Sequence, residues 1–460
     1  MLQWLTRFIK DHFIRSRSLN STRLVALSFG AVILMGTLLL ALPISARSGE
    51  SQGIFKALFT ATSATCVTGL VVADTAMTWS GFGQAVILLM IQIGGLGFMT
   101  IITVVSLLAH RKIGLSERLL MVSTLNLSDL DGVVRVVRRA LVGTLLFELA
   151  GTALLSVRMI PRFGFFRGLW HALFHAVSAF CNAGFDLQGM DTGAYSSLSG
   201  FAGDPVILLT TAALVIIGGL GFFVWEDIAR HRSWKKLTLY SKLVLGITAF
   251  LLLGGTVFFF LEEGASPDTL GGMKPWEQWL NAFFQSATLR TAGFNVIDQG
   301  AMQDNSIAMS CIFMLIGGSS GSTAGGMKTV TVWALLMVLF TSLRGRERIT
   351  FRGRTLPARR AMDAVTLFLL MLMLWLCGAM VISMADSVPF LSAGFETASA
   401  LGTVGLTTGI TPALSRASHI VLILLMYIGR VGGLSMSIAF LTGRKVADKI
   451  KYPEFHVMIG

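Results

Sequence analysis

Charged residues are scarce in this chain. Of its 460 residues, 24 are acidic and 37 basic, so only 13% carry charge, whereas an ordinary soluble domain has about 25%. Hydrophobic residues make up 54%, and the mean hydropathy is +0.73. Such a composition excludes a soluble globular protein and a disordered one. It indicates a membrane protein.

Cysteine is also rare, and acidic residues are outnumbered. The four cysteines lie inside apolar stretches, which excludes a disulfide framework and shows no metal-ligand pairing. The net charge of +13 would suit a nucleic-acid binder, but the basic residues are sorted into particular loops. We therefore expect no nucleic-acid partner.

Long apolar runs are abundant. A helix needs about 20 apolar residues to cross a bilayer, and eight runs are long enough. They are Leu24–Ile44, Gly81–Ala109, Ala140–Ile160, Pro205–Ile228, Leu243–Leu261, Ser306–Leu343, Ala364–Met384 and Ile420–Leu441.

The loops between these runs differ in charge. Twenty-seven of the 37 basic residues lie in five segments that alternate with the opposite side: 1–23, 110–139, 230–242, 344–360 and 444–460. The positive-inside rule makes that side cytoplasmic, with both termini on it. On the other side, called the outer face below, acidic residues prevail, and they include Glu263 and Glu396. A negative rim raises the local concentration of cations. We expect a multi-pass protein of the cell membrane.

Four shorter, half-polar segments repeat a pattern between the spans. In each, a Phe is followed ten residues later by a Gly, and an Ile-Gly pair recurs in the next span. The segments are Phe59–Gly69, Phe174–Gly184, Phe283–Gly293 and Phe395–Gly405. The predicted divisions are an N-terminal segment 1–23, repeats at 24–112, 137–232, 240–343 and 361–443, and a tail 444–460.

Such repeats predict an all-α polytopic membrane protein, with four tandem membrane helix–pore helix–membrane helix units around a central pore of pseudo-fourfold symmetry. Irregular backbone at membrane depth is tolerated where it lines a cavity. Its carbonyl oxygens can replace the water shell of a cation, and glycine permits the required backbone angles. The candidate ion-binding residues are Val67, Thr68, Gly69, Asn182, Ala183, Gly184, Thr291, Ala292, Gly293, Thr403, Val404 and Gly405. None is acidic, which favours a large monovalent cation over Ca²⁺ or Mg²⁺.

The motifs Thr65-Cys-Val-Thr-Gly69, Cys181-Asn-Ala-Gly-Phe185, Arg290-Thr-Ala-Gly-Phe-Asn295 and Gly402-Thr-Val-Gly-Leu-Thr407 resemble those of the Ktr/Trk/HKT superfamily of potassium transporters. With eight spans, the chain is most similar to the bacterial KtrB branch. The resemblance implies K⁺ uptake with K⁺ at the four filter glycines, Na⁺ as an activator, a homodimer and a cytoplasmic nucleotide-binding ring of KtrA type. It also implies that Gly69 favours K⁺, because a Ser at that position accompanies Na⁺ preference in the plant branch.

The span 306–343 is interrupted by ten small residues. They are Gly317, Gly318, Ser319, Ser320, Gly321, Ser322, Thr323, Ala324, Gly325 and Gly326. Five glycines disfavour a helix by about 1 kcal/mol each, so this segment, called the gate loop below, must break and lie inside the protein. The alternative is a close-packed helix interface. The resemblance implies a loop that obstructs the pore. A phosphate-binding loop is excluded because Met327 stands where Lys is required, so we expect no bound nucleotide in this chain.

Several charged residues lie at membrane depth, where charge is costly and needs a partner. Lys328 ends the gate loop, and Arg430 matches the arginine that the family places near its gate; a snorkelling side chain is the alternative, mainly for Lys328. Glu148 needs a partner that the sequence does not identify. Arg290 is expected to point away from the axis and pair behind the filter.

Two alternatives stay open, a secondary transporter with strict alternating access and a Na⁺-permeable member of the same superfamily. The first usually has inverted repeats, whereas these four run in parallel. The second would share the motifs. An intramembrane hydrolase would need a nucleophile beside a base, and no such arrangement stands out, so we expect no enzyme activity. The basic cytoplasmic loops suit either anionic membrane lipid or a docked regulatory partner.

Overall fold

The computed structural model describes residues 21–97, 133–346 and 348–432. These residues are mostly helical, and their sheet is a short antiparallel hairpin of β1 (Thr350–Phe351) and β2 (Arg354–Thr355). Most of the predicted N-terminal segment, the ends of repeats 1 and 4, and the predicted C-terminal tail lie outside the described residues.

The helices recur four times in one order: a first helix, a pore helix and an inner helix. The first unit comprises α1 (Ser21–Leu40), pore helix α2 (Ile54–Cys66), the single turn α3 (Thr75–Thr78) and inner helix α4 (Gly81–Leu96). The second comprises α5 (Val133–Phe163), pore helix α6 (Phe165–Phe180), the turn α7 (Gly189–Thr192), and the inner pair α8 (Pro205–Leu220) and α9 (Phe222–His231). The third comprises α10 (Leu239–Glu263), pore helix α11 (Pro275–Thr288), and the inner pair α12 (Asp304–Leu315) and α13 (Thr329–Leu343). The fourth comprises α14 (Ala358–Asp386), pore helix α15 (Phe390–Gly402) and inner helix α16 (Arg416–Val431). Short 3₁₀ turns occur at Pro43–Ser45, Ser199–Phe201, Trp234–Lys236, Gln299–Ala301 and Thr411–Ala413.

The first helices of the second, third and fourth units are long and apolar. Among the described residues, three helices have the length and hydropathy to cross a bilayer: Val137–Phe163 within α5, α10 and α14. The predicted span 205–228 is not one straight helix. It breaks between α8 and α9, whose axes are bent by 94°, because Gly221 adopts a φ of +89° that a side chain would disfavour.

Side-chain caps define where three inner helices begin. The hydroxyls of Ser80 and Ser415 and the carboxylate of Asp204 each accept a backbone N–H from the first turn of the helix that follows. Such caps satisfy N–H groups that have no partner within the helix. The start of each of these three inner helices is thus encoded by a local sequence signal.

The pore helices form the buried centre, and the first helices surround them. In α15, every residue from Ala393 to Gly402 is buried, and small side chains let its neighbours approach closely. By contrast, α10 exposes large apolar side chains such as Phe250, Leu253 and Leu261. An apolar periphery around a core of small and polar residues is the arrangement that lipid favours.

Candidate functional site

Three pore helices end in the same backbone motif. In repeat 1, Val67 N donates to Ala64 O at 3.2 Å and Thr68 N donates to Ser63 O at 2.8 Å, which is the bonding pattern of a Schellman motif. The same pairs of bonds close α6 and α15. Repeat 3 differs, because there Ala292 N donates to Thr288 O at 2.9 Å.

A residue in the left-handed backbone conformation turns the chain out of each pore helix. Two residues before each of the four predicted filter glycines, φ is positive although the residue is not glycine. These residues are Val67 (+56°), Asn182 (+58°), Thr291 (+63°) and Thr403 (+52°). A conformation that is unfavourable outside glycine persists where the surroundings stabilise it. The same left-handed conformation recurs in all four units, so the carbonyl groups that follow these four residues are equivalent in the four repeats.

The four glycines themselves lie next to one another in a closed ring. Their φ values are also positive, between +70° and +98°. A Cβ on Gly69 would lie 2.6 Å from the carbonyl oxygen of Ala183, and one on Gly184 would lie 2.9 Å from that of Ala292. The ring continues with Gly293 beside the Val404 carbonyl and Gly405 beside the Thr68 carbonyl. The structure therefore brings together the predicted filter residues of all four repeats, and it leaves no room for a side chain at the glycines.

Hydroxyl groups from the pore helices support the backbone around this ring. Ser63 Oγ accepts the Gly69 N–H at 3.1 Å, and Ser399 Oγ accepts the Gly405 N–H at 3.0 Å. Ser178 Oγ accepts the Phe185 N–H, while Thr288 donates to the Phe294 carbonyl at 2.6 Å. Sequence reasoning missed these residues, although a Ser recurs six positions before the glycine in repeats 1, 2 and 4.

The Ile-Gly pairs of the inner helices explain how these helices reach the ring. A Cβ on Gly94, Gly218 or Gly429 would collide with the carbonyl oxygen of Thr65, Phe180 or Leu401, respectively. Each of these carbonyls lies four residues before a filter glycine. Glycine thus permits the inner helix to pack directly on the end of its pore helix.

The inner helices end just beyond this contact. Gly97, Gly221 and Gly432 follow α4, α8 and α16, and each has a φ between +80° and +92°. These breaks were not predicted from the sequence, although a Gly at the fourth position after each Ile was visible.

In repeat 3 the gate loop takes the place of such a break. Gly317 N donates to Met327 O at 2.8 Å, so the ends of the loop are joined at its neck. Ser319 N donates to Gly219 O at 3.0 Å, and Phe222 N donates to Gly321 O at 2.9 Å. The loop is therefore attached to the inner helix of repeat 2 and is not part of a continuous helix interface.

Arg430 and Lys328 both bind this region. Arg430 donates to the carbonyl of Thr323 in the gate loop and to the carbonyls of Gly94 and Gly95 in repeat 1. Lys328 Nζ donates to the Ala324 carbonyl at 2.7 Å. Arg430 thus joins three repeats, and Lys328 binds the loop that it ends.

The structure identifies a partner for Glu148 and none for Arg290. Gln92 Nε2 donates to both carboxylate oxygens of Glu148, at 3.0 and 3.2 Å. Within the described residues, the buried Arg290 side chain forms no ion pair, and its Nη1 lacks a hydrogen-bond partner. The predicted pairing of Arg290 behind the filter has no counterpart among the described residues and stays a prediction.

Two acids of the outer face are not available to attract cations. Glu263 and Glu396 are both fully buried. Glu396, on the pore helix of repeat 4, accepts hydrogen bonds from Thr407 Oγ1 at 2.7 Å, Thr408 N at 2.9 Å, Thr408 Oγ1 and Thr411 Oγ1. It therefore supports the segment directly after Gly405, a role that sequence reasoning missed.

Comparisons with known proteins agree with this architecture. Residues 3–446 match the family of cation transport proteins called TrkH. The chain is 42% identical to the potassium/sodium uptake protein NtpJ of Enterococcus hirae, over 97% of this chain and 98% of that one. It is 37% identical to the Ktr system potassium uptake protein B of Bacillus subtilis, over 98% of this chain and 99% of that one.

A solved structure shares the fold. The potassium transporter TrkH from Vibrio parahaemolyticus superposes with a TM-score of 0.73 at 18% identity, covering 93% of this chain and 86% of that one. The predicted helical, polytopic membrane fold is thereby confirmed, and the family consists of ion transporters and not enzymes. The chain belongs to the TrkH/Ktr family of cation transport proteins.

Proposed function

We propose that this chain is the K⁺-translocating subunit of a channel-like uptake system. The observation that carries the proposal is the closed ring formed by Gly69, Gly184, Gly293 and Gly405, each facing a backbone carbonyl of the next repeat. Four equivalent peptide segments around one centre can replace the hydration shell of a cation.

The chemistry of the ring favours K⁺. No side chain in the twelve candidate ion-binding residues is acidic, so the dipoles of backbone carbonyls, and not a charged ring, would select the ion. Divalent cations prefer carboxylates or retain their water, whereas K⁺ sheds its water more readily. Potassium uptake is also part of the names of the relatives from Enterococcus hirae and Bacillus subtilis.

The gate loop closes the cytoplasmic side of the ring in this proposal. Residues 317–326 would obstruct passage, and Arg430 would hold them in place while its positive charge opposes cations. Opening would then require the loop to release its hydrogen bonds to Arg430 and to the inner helix of repeat 2.

The remaining parts of the proposal rest on the family. The chain would form a homodimer in the bacterial inner membrane, with both termini cytoplasmic, and a separate nucleotide-binding ring of KtrA type would regulate it. Na⁺ would act as an activator, as the potassium/sodium name of the Enterococcus hirae relative suggests. Anionic lipid would contact the basic cytoplasmic loops.

Two assays test the proposed function. Expression in a bacterium that lacks its own K⁺ uptake should restore growth at low K⁺, and proteoliposomes of the purified chain should take up Rb⁺ driven by a Rb⁺ gradient alone. Absence of both results would contradict the proposal. Uptake that strictly requires a second ion gradient would favour alternating access, and equal Na⁺ and Rb⁺ fluxes would favour a Na⁺-permeable member.

A further inference from the structure

One of the four left-handed residues before the ring differs from the others. Thr291 and Thr403 have buried hydroxyls without a hydrogen-bond partner, and Val67 has no polar group to offer. At the equivalent position in repeat 2, the side chain of Asn182 forms hydrogen bonds in two directions. The fourfold symmetry is therefore broken at this position.

The two bonds of Asn182 reach two separate parts of repeat 3, the end of its pore helix and its gate loop. Its Nδ2 donates to the carbonyl oxygen of Arg290, three residues before Gly293, at 3.1 Å. Its Oδ1 accepts the hydroxyl of Thr323, in the gate loop, at 3.1 Å. A carbonyl can only accept, so Nδ2 must face Arg290 and Oδ1 must face Thr323. Asn182 and Thr323 are both almost completely buried, so water does not compete for these bonds.

Thr323 in turn contacts the pore helix and the inner helix of repeat 2, and Arg430, through its hydroxyl, amide and carbonyl groups. Its hydroxyl also lies 3.1 Å from the Phe180 carbonyl, so its single proton is shared between that oxygen and Asn182 Oδ1. Its N–H donates to the Gly218 carbonyl at 3.3 Å. Its own carbonyl accepts from Arg430. The gate loop therefore meets the filter backbone and Arg430 at the same residue.

Space around this contact is limited. A Cβ on Gly218 would lie 2.9 Å from Asn182 Oδ1 and 3.0 Å from Thr323 Oγ1. If the loop withdrew, Asn182 would lose its donor and would have no room to turn towards the inner helix. Its amide, and the Arg290 carbonyl that it holds, would then be less restrained.

We propose that Asn182 is a positioning residue that couples the gate loop to the filter. The closed loop, through Thr323, orients the Asn182 amide, which restrains the filter backbone of repeat 3. The inference rests on the proposed function, because it takes residues 317–326 as the gate. By linkage, an ion held in the filter must favour the closed loop to the same degree that the closed loop favours the ion.

Two substitutions remove the link with little change of shape. Asn182→Thr introduces the residue that repeats 3 and 4 already hold in this conformation, and Thr323→Val removes only the hydroxyl. Matched controls are Asn281→Thr, which removes a buried Asn that donates to the Ala202 carbonyl at 3.0 Å, and Thr248→Val, which removes a buried hydroxyl without a partner.

The first experiment measures Rb⁺ and Na⁺ flux into proteoliposomes of the full chain. One hydrogen bond changes an equilibrium by about 2- to 10-fold. We expect each of Asn182→Thr and Thr323→Val to raise Rb⁺ flux and lower the Rb⁺/Na⁺ flux ratio by that amount, with no further change in the double variant. The two controls should leave the ratio unchanged. An unchanged ratio in both test variants, or effects that multiply in the double variant, would overturn the coupling.

The second experiment measures the K⁺ concentration that half-maximally raises the thermal unfolding temperature in detergent. Coupling predicts that Thr323→Val shifts this concentration 2- to 10-fold, whereas a merely structural role would lower the unfolding temperature equally at all K⁺ concentrations. If Asn182→Thr does not fold, Thr323→Val decides the question alone. Arg430→Gln separates the two proposals: if it raises Rb⁺ flux while Thr323→Val changes neither readout, the gate stands and the coupling fails. If Arg430→Gln also leaves flux unchanged, the gate itself is wrong.

Discussion

The guanidinium of Arg430 donates a hydrogen bond to the carbonyl oxygen of Thr323, 107 residues earlier in the chain. The same guanidinium reaches Gly94 and Gly95 in the first repeat. Arg430 occupies the place that Gly95, Gly219 and Gly318 hold in the other Ile-Gly motifs. One substitution within a repeated motif thus connects the last unit to the interrupted helix of the third.

Replacing Arg430 by Gln should increase Rb⁺ flux through the isolated chain. Gln removes the positive charge and cannot supply the three donors that hold Thr323, Gly94 and Gly95. Hydrogen bonds to charged groups contribute roughly 1.5–3 kcal/mol each, so we expect a flux increase of at least about tenfold. The measurement is Rb⁺ uptake into proteoliposomes, and Arg139→Gln serves as a control because its ion pair with Glu226 is exposed. Equal fluxes in Arg430→Gln and wild type would contradict the gate assignment.

Replacing Gly69 by Ser should weaken the preference for K⁺ over Na⁺. A Cβ at this position would lie 2.6 Å from the Ala183 carbonyl oxygen, and the φ of +96° is unfavourable for any side chain. The backbone must shift, which displaces a carbonyl of the ring. Competition of Na⁺ with Rb⁺ uptake measures the effect. Gly81→Ser is a suitable control, since a Cβ there meets nothing within 4 Å; unchanged selectivity in Gly69→Ser would count against the filter.

Replacing Glu396 by Gln should lower both thermal stability and selectivity. Its carboxylate accepts four hydrogen bonds, three at Oε1 from Thr407 and Thr408 and one at Oε2 from Thr411. An amide nitrogen in place of Oε2 cannot accept the bond from Thr411. We expect a loss of about 1–3 kcal/mol in the free energy of unfolding and a lower Rb⁺/Na⁺ flux ratio, because this segment continues from Gly405.

The matched control for that substitution is Glu263→Gln. Glu263 is also fully buried and accepts two hydrogen bonds, from Thr269 Oγ1 at 2.7 Å and Gln303 N at 2.9 Å. None of its hydrogen bonds involves the ring, so it should lower the unfolding temperature without changing selectivity. If the two variants behaved alike in the flux assay, Glu396 would have only a structural role.

Replacing Gln92 by Leu should destabilise the chain strongly. It leaves the buried Glu148 carboxylate without its two hydrogen bonds from Nε2, and losing a hydrogen bond to a charged group costs about 1.5–3 kcal/mol. The double variant Gln92→Leu with Glu148→Leu should recover part of this loss, because the uncompensated acid is gone. Unfolding temperatures in detergent measure both, and a double variant less stable than Gln92→Leu would contradict this reading.

Local sequence signals predicted the order of the helices and the four glycines that the structure brings together. The half-polar pore segments, the Ile-Gly pairs and the run of small residues at 317–326 each reflect a local requirement: length, close approach or a broken helix. The same kind of signal was present but not read at Gly97, Gly221 and Gly432, where glycine permits the positive φ that ends an inner helix.

Hydrogen-bond partners could not be predicted in this way. Glu148 meets Gln92, 56 residues away, and Asn182 meets Thr323, 141 residues away. The use of Glu396 within the protein likewise depends on which segments become neighbours.

The sequence by itself determined the membrane class, the four repeated units and the chemistry of their half-helices, because hydropathy, glycine and charge act over a few residues. Only the tertiary structure decided how the units differ from one another. Buried polar groups in a membrane protein have no water to bind, so each takes the partner that packing places within reach, and that partner comes from a distant part of the chain.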